Sequence, residues 1–170
     1  MEELEYNDEN KNRVVIFGCH RAGSLLLKEF QKNKENMFIV DYNPEIIKSL
    51  IEKKIPCVYG DFMNPEVFAK IGIEDAEIIV STIPDFEDNV LLLKKIRQIN
   101  KSALVFLVAN RIHEAMALYK IGANYVILPQ IEGGQRAFEL IKKFRKGDIS
   151  VKDIQKEHIK YLESIHHILY

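Results

Sequence analysis

The 170-residue sequence predicts an α/β fold: a doubly wound, six-stranded parallel sheet in the order 3-2-1-4-5-6, followed by two helices. Three observations predict it. Short β-branched or aromatic runs alternate with segments of helical spacing from residue 14 to residue 128, the rhythm of βαβ units with right-handed crossovers. The runs are apolar throughout rather than alternating, as strands covered on both faces must be. The phrases KIGIEDAEIIV and KIGANYVIL echo each other, as expected of a sheet built from two similar halves.

Residues 1–12 are mostly charged or amide side chains and read as a loose leader. The strand runs are VVIF (14–17), MFIV (37–40), CVY (57–59), EIIV (77–80), ALVFLV (103–108) and YVIL (125–128). Helical spacing joins Leu26 to Phe30, Ile46 and Ile47 to Leu50 and Ile51, and Val67 to Ile71. It returns in Leu92, Ile96 and Ile99, and in Ala115, Met116 and Tyr119. Asn43-Pro44 and Asn64-Pro65 each place a capping Asn before a Pro at the first helical position. Gly72 and Gly122 stand where helices should stop. Val90 to Leu93 are consecutive apolar residues, more than one buried face requires, so the helices near 86–99 and 111–120 are expected to meet a partner.

Past Pro129 the strands end, and residues 132–146 and 151–169 read as two helices. In the second, Val151, Ile154, His158, Tyr161, Ile165 and Ile168 form a heptad-like stripe. That stripe suits packing either on its own domain or on a second copy. The chain thus divides into a leader (1–12), a sheet domain (13–130) and C-terminal helices (131–170).

The bulk numbers narrow the function. A formal net charge of −1, with 47% hydrophobic and 29% charged residues, is ordinary for a soluble globular protein and offers no broad basic surface to nucleic acid. Cys19 and Cys57 lack any CxxC spacing, so neither a disulfide framework nor a zinc knuckle is expected, and the usage suits a reducing cytosol. No apolar run approaches the roughly 18–20 residues that span a bilayer. His113, His158, His166 and His167 show no metal-ligand spacing.

One loop carries chemistry. In VVIFGCHRAG a strand delivers Gly18 and a helix leaves after Gly23, the context of a dinucleotide fingerprint with His20 in place of its middle glycine. The helix start offers unpaired N–H groups to phosphate, and Arg21, before Ala22, adds a guanidinium. His20 either turns outward to the edge of a ligand or crowds the approach of a bridging pyrophosphate. Downstream, Asp41 ends the second strand, placed to accept from both ribose hydroxyls and to disfavour a 2′-phosphate. Tyr42 follows it. Gly60-Asp61, with Phe62 next, closes the third strand and reaches toward an adenine edge, and Ser81-Thr82 closes the fourth. Four successive strand ends thus point to one edge of the sheet.

The order GCHRAG, VDYNP, YGDFMNPEVFAKIGIEDAEIIVSTIPDFEDN and ANRIHEAMALYKIGANYVILP resembles the RCK/KTN family of nucleotide-binding regulatory domains, over about residues 13–145. These Rossmann-like domains serve potassium channels, Trk-type potassium uptake systems and cation:proton antiporters, and STIPDFEDN looks closest to the glutathione-gated efflux type. The resemblance implies phosphate contacts for Gly18, Arg21 and Gly23, a ribose contact for Asp41, and an adenine contact for Asp61. It implies NAD(H), ATP, ADP or AMP as ligand. His20 at the middle glycine and Val108, where many members place an Arg, favour AMP, ADP or ATP over NAD(H). Only two helices are expected after residue 130, in place of the family's usual small C-terminal lobe, and in the family helices of this region mediate dimer crossing.

An enzyme would need more than this. No tyrosine precedes a lysine by four positions, and HExxH, GxSxG and GxxxxGK[ST] do not occur. The expectation is therefore a non-enzymatic, nucleotide-sensing regulatory domain of a monovalent cation (K+ or Na+/H+) transport system. It is expected in the cytoplasm at the inner face of the membrane, forming a homodimer or higher homo-oligomer, and belonging to the transporter's own chain or to a separate subunit. The alternatives are a small NAD-dependent Rossmann oxidoreductase and an assembly module with a vestigial pocket.

Overall fold

A computed structural model describes residues 4–7, 13–19 and 21–169, with the side chains of residue 21 and of residues 165–169 outside the description. The elements run β1 (Glu5–Tyr6), β2 (Val14–Phe17), α1 (Arg21–Lys32), β3 (Met37–Asp41), α2 (Pro44–Glu52), β4 (Cys57–Tyr59) and α3 (Pro65–Lys70). After a 3-10 turn at Ile73–Asp75 come β5 (Ile78–Ser81), α4 (Phe86–Ile99), β6 (Leu104–Val108), α5 (Ile112–Ile121), β7 (Tyr125–Ile127), α6 (Pro129–Lys146) and α7 (Val151–Leu169).

The sheet order is β1-β4-β3-β2-β5-β6-β7. Its six parallel strands follow the expected 3-2-1-4-5-6 order, but the sheet has seven strands, not six. The seventh is β1, drawn from the polar leader and paired antiparallel with the edge strand β4, Glu5 opposite Val58 and Tyr6 opposite Cys57. Backbone bonding and a 2.6 Å Lys70–Glu5 ion pair hold it, so it required no apolar run.

Successive strand residues face opposite sides of a sheet, and β2 is buried on both. Val15 and Phe17 join a core with residues of α3, α4 and α5, while Val14 and Ile16 join a second with α1 and α2. Helix starts follow the sequence: Asn43 accepts from Glu45 N and Asn64 from Glu66 N, each ahead of its proline. Gly122 stops α5 at φ +114°, a conformation that favours glycine.

Away from the carboxyl edge, the end of α4 ties three loops together. Asn100, 5% exposed, donates to the carbonyls of Ile73, Glu74 and Ala76 and accepts from Ser102 N, Ser102 Oγ and Ala103 N. Arg97 donates to the carbonyls of Gly122 and Ala103 and to Asn124 Oδ1.

The predicted interface helices keep apolar side chains outside. Leu92 and Leu93 are fully buried, Val90 is half-buried and Leu91 is exposed. Ile112, Met116 and Tyr119 of α5 are exposed, and α6 buries no residue at all. α7 lies along α1, with Lys28 Nζ donating to Ser164 O, so its tail touches its own domain; Ile165 and Ile168 of the stripe lie outside the described side chains.

Candidate nucleotide-binding site

Backbone hydrogen bonds set four strand ends side by side. Gly18 N donates to Val40 O, Gly60 N to Asp41 O, and Thr82 N to Phe17 O, at 2.9–3.0 Å. The carboxyl ends of β4, β3, β2 and β5 therefore form one rim, the edge at which doubly wound sheets bind ligands.

Gly18 turns at φ +83°, and Thr82 Oγ1 donates 2.9 Å to its carbonyl. A Cβ on Gly23 would lie 1.9 Å from that carbonyl oxygen and 3.3 Å from Thr82 Oγ1. The glycine expected to seat the helix on the sheet thus makes room for the loop's own first residue. Loop, helix start and β5 end are packed as one unit.

Asp41 is 6% exposed, and its carboxylate is fixed from both sides. Oδ2 accepts from Cys19 N at 2.6 Å and Oδ1 from Asn43 N at 2.8 Å. Each oxygen retains acceptor capacity for a further donor. The Cys19 thiol is pushed up to about 12, by burial first and then by the charge of Asp41; burial raises Cys57 to about 11. Burial keeps both thiols in the protonated, less reactive form at neutral pH.

A cleft of about 140 Å³ opens on this rim over an apolar floor of Phe17, Val40, Phe62 and Ile83. Asp41, Tyr42, Gly60, Asp61 and Asp88 edge it. Phe62 stands edge-on to Phe17, centroids 6.2 Å apart, while Tyr42 is 78% exposed. A larger cleft of about 490 Å³ continues from Gly18, Asp41 and Tyr42 past Thr82 to Pro84 and Asp85.

The structure thus brings Gly18, Asp41, Tyr42, Gly60, Asp61, Phe62 and Thr82 to the clefts. Gly23 is buried behind the loop and Ala22 is exposed beside it; neither lines a cleft. Ser81 does not line one either: it is fully buried and its hydroxyl accepts from Ile83 N, because β5 turns its last side chain inward and Thr82 outward. His20, and the side chain of Arg21, lie outside the described residues. Val108 is buried, and its carbonyl accepts from Asn89 Nδ2.

Sequence reasoning missed Ile83, Pro84, Asp85 and Asp88, which return over the cleft from the loop and first turn after β5. A signal was there: Asp85 caps α4 and accepts from Asp88 N at 3.0 Å, the spacing of a helix start aimed at the strand ends.

The sheet and its cleft define a Rossmann-like domain with a ligand-sized site at the carboxyl edge. Residues 14–129 match the family model of the TrkA-N domain, and the chain belongs to that family. It is 31% identical over 134 residues to "Probable potassium channel protein 2" of Methanocaldococcus jannaschii, a stretch covering 76% of this chain and 39% of that relative. The chain thus spans about two fifths of the length of that relative. Among solved structures, the TrkA-N domain of inner membrane protein ybaL from Escherichia coli superposes with a TM-score of 0.75 at 22% identity, over 78% of this chain and 98% of that one. The Shewanella denitrificans Kef CTD in AMP-bound form gives 0.66 at 17% identity, over 92% and 93%. The GsuK channel bound to NAD gives 0.63 at 22%, over 74% and 23%. These structural likenesses establish the shared fold.

Proposed function

We propose that this domain senses an adenine nucleotide and regulates a monovalent cation transport system, either K+ or Na+/H+, from the cytoplasmic face of the membrane. One observation carries the ligand: the buried Asp41 carboxylate, held by two backbone amides beside an apolar-floored cleft at the strand ends. The apolar floor suits the face of a purine, Asp41 a pair of ribose hydroxyls, and the α1 start with Arg21 a phosphate. His20 replaces the middle glycine of the fingerprint in the sequence, and Val108 stands where many members place an arginine, so AMP, ADP or ATP is favoured over NAD(H). The larger cleft beyond Thr82 leaves room for NAD(H) as the second reading, and the NAD-bound GsuK relative in fold agrees with it.

The domain acts as a switch rather than a catalyst. A ligand can regulate only by binding two states unequally. The exposed Leu91, Ile112, Met116 and Tyr119 of α4 and α5, with α6, offer the surface on which two copies would meet. Assembly is the state we assign to be biased.

Calorimetry of AMP, ATP and NAD tests the ligand. Asp41→Ala should weaken AMP by about 1.5–3 kcal/mol, the scale of hydrogen bonds to a charged group. Because Asp41 also holds two loop amides, melting of the ligand-free variant must be compared with wild type. His20→Gly should shift preference toward NAD. If wild type binds NAD more tightly than every adenine mononucleotide, the histidine reading is wrong; if it binds none of them, the site reading is wrong.

A further inference from the structure

The two clefts are charged with one sign. Asp41, Asp61, Asp85 and Asp88 line them, and among the described residues no lysine, arginine or histidine does. Three of these carboxylates are bound into local structure: Asp41 holds the amides of Cys19 and Asn43, Asp61 that of Met63, and Asp85 that of Asp88. Asp88 differs. It is half-buried, lines both clefts, and among the described residues none donates to its carboxylate. Desolvation raises its pKa first, followed by the charges of Asp85 and Asp61. Lys95, about two turns along the same helix, donates to Phe62 O and lies 4.1 Å from the centre of the Phe68 ring.

The amides at the start of α1 offer a positive end to a phosphate, and the described lining of the clefts offers none. That end suffices for a single phosphate. A second and third phosphate that enter the clefts meet a wall of carboxylates. Among the described residues no three acids, histidines or cysteines are grouped to hold a metal. A divalent ion carried on the polyphosphate would offset its repulsion from the wall.

We infer that Asp88 limits the charge of the ligand, so that the site takes a nucleoside monophosphate and rejects the free di- and triphosphate. This rests on the adenine-nucleotide reading of the cleft and sharpens it. A unit charge facing another across a partly desolvated gap is worth roughly three- to tenfold in affinity at low salt.

The test is calorimetry on the full chain with AMP, ADP and ATP, in chelator and at low ionic strength, for wild type and Asp88→Asn. Wild type should bind AMP at least about tenfold more tightly than ATP, with ADP between them. Asp88→Asn should narrow the AMP-to-ATP ratio by roughly three- to tenfold, chiefly by tightening ATP. In wild type alone, raising salt to ~0.5 M or adding Mg2+ should narrow the same ratio, a check that does not depend on the variant's folding. A ratio unmoved by the substitution, or unmoved by salt in wild type, overturns the inference while leaving nucleotide binding intact. Absence of binding by all three nucleotides removes the underlying reading, and this inference with it.

Discussion

Replacing Gly23 by alanine is expected to abolish nucleotide-dependent stabilisation and to lower the melting temperature by roughly 6–12 °C, from a cost of about 3 kcal/mol in a domain of this size. The added Cβ would sit 1.9 Å from the Gly18 carbonyl oxygen and 2.9 Å from its carbon, so backbone must move rather than a side-chain tip. Movement is blocked on the far side, because Thr82 donates to that same oxygen and Gly18 N is bonded to Val40 O. Displacing the loop also disturbs Cys19 N, which orients Asp41. Gly134→Ala is the matched control. Nothing lies within 4 Å of its would-be Cβ, and it stands inside α6, so alanine should raise stability by up to about 1 kcal/mol. Melts with and without AMP read both effects. A Gly23→Ala protein that melts within ~2 °C of wild type and still responds to AMP would refute the packing account.

Asn100→Ala should cost about 3–4 kcal/mol without touching the ligand site. The amide satisfies three carbonyls on one side and two amides and a hydroxyl on the other, at 2.8–3.3 Å. Truncation leaves several of these groups buried and unpaired, the costly case for a lost hydrogen bond. Urea unfolding measures the loss, and a change under ~1 kcal/mol would show the loops hold themselves. AMP affinity of the folded fraction should be unaltered, which separates this variant from Gly23→Ala.

The parallel sheet was legible because buried parallel strands must be apolar on both faces, and VVIF, MFIV and ALVFLV are. Caps and stops were legible for the same local reason at Asn43, Asn64 and Gly122. β1 was not: a two-residue strand held by backbone bonds and one ion pair leaves no hydrophobic trace. The site divides similarly. Residues at strand ends could be read from their positions, because topology alone carries Gly18, Asp41, Asp61 and Thr82 to one edge. Which of Ser81 and Thr82 faces out depends on strand register, which the sequence does not display. Asp88 belongs to a helix start, and only the path of the chain through Ile83 to Asp85 brings it over the cleft. The clamp of Asn100 and Arg97 was invisible, since an amide that satisfies three loops is spelled like any surface asparagine.

Thr82 closes the glycine loop from 64 positions downstream, and this has a consequence for the birth of the protein. At roughly 5–20 residues per second, a growing chain exposes the loop and Asp41 several seconds before the residue that locks them. Parallel pairings between distant strands are slow to form, so β2 waits at the centre of an unfinished sheet until β5 arrives. Under the proposed function, ligand in the surrounding fluid therefore has nothing to select until β5 has been made. A bound nucleotide would then be a late inspector, rewarding only chains in which the two halves have already met. A chain cut between β4 and β5 would keep the loop and Asp41 yet lose the clasp that makes them a site.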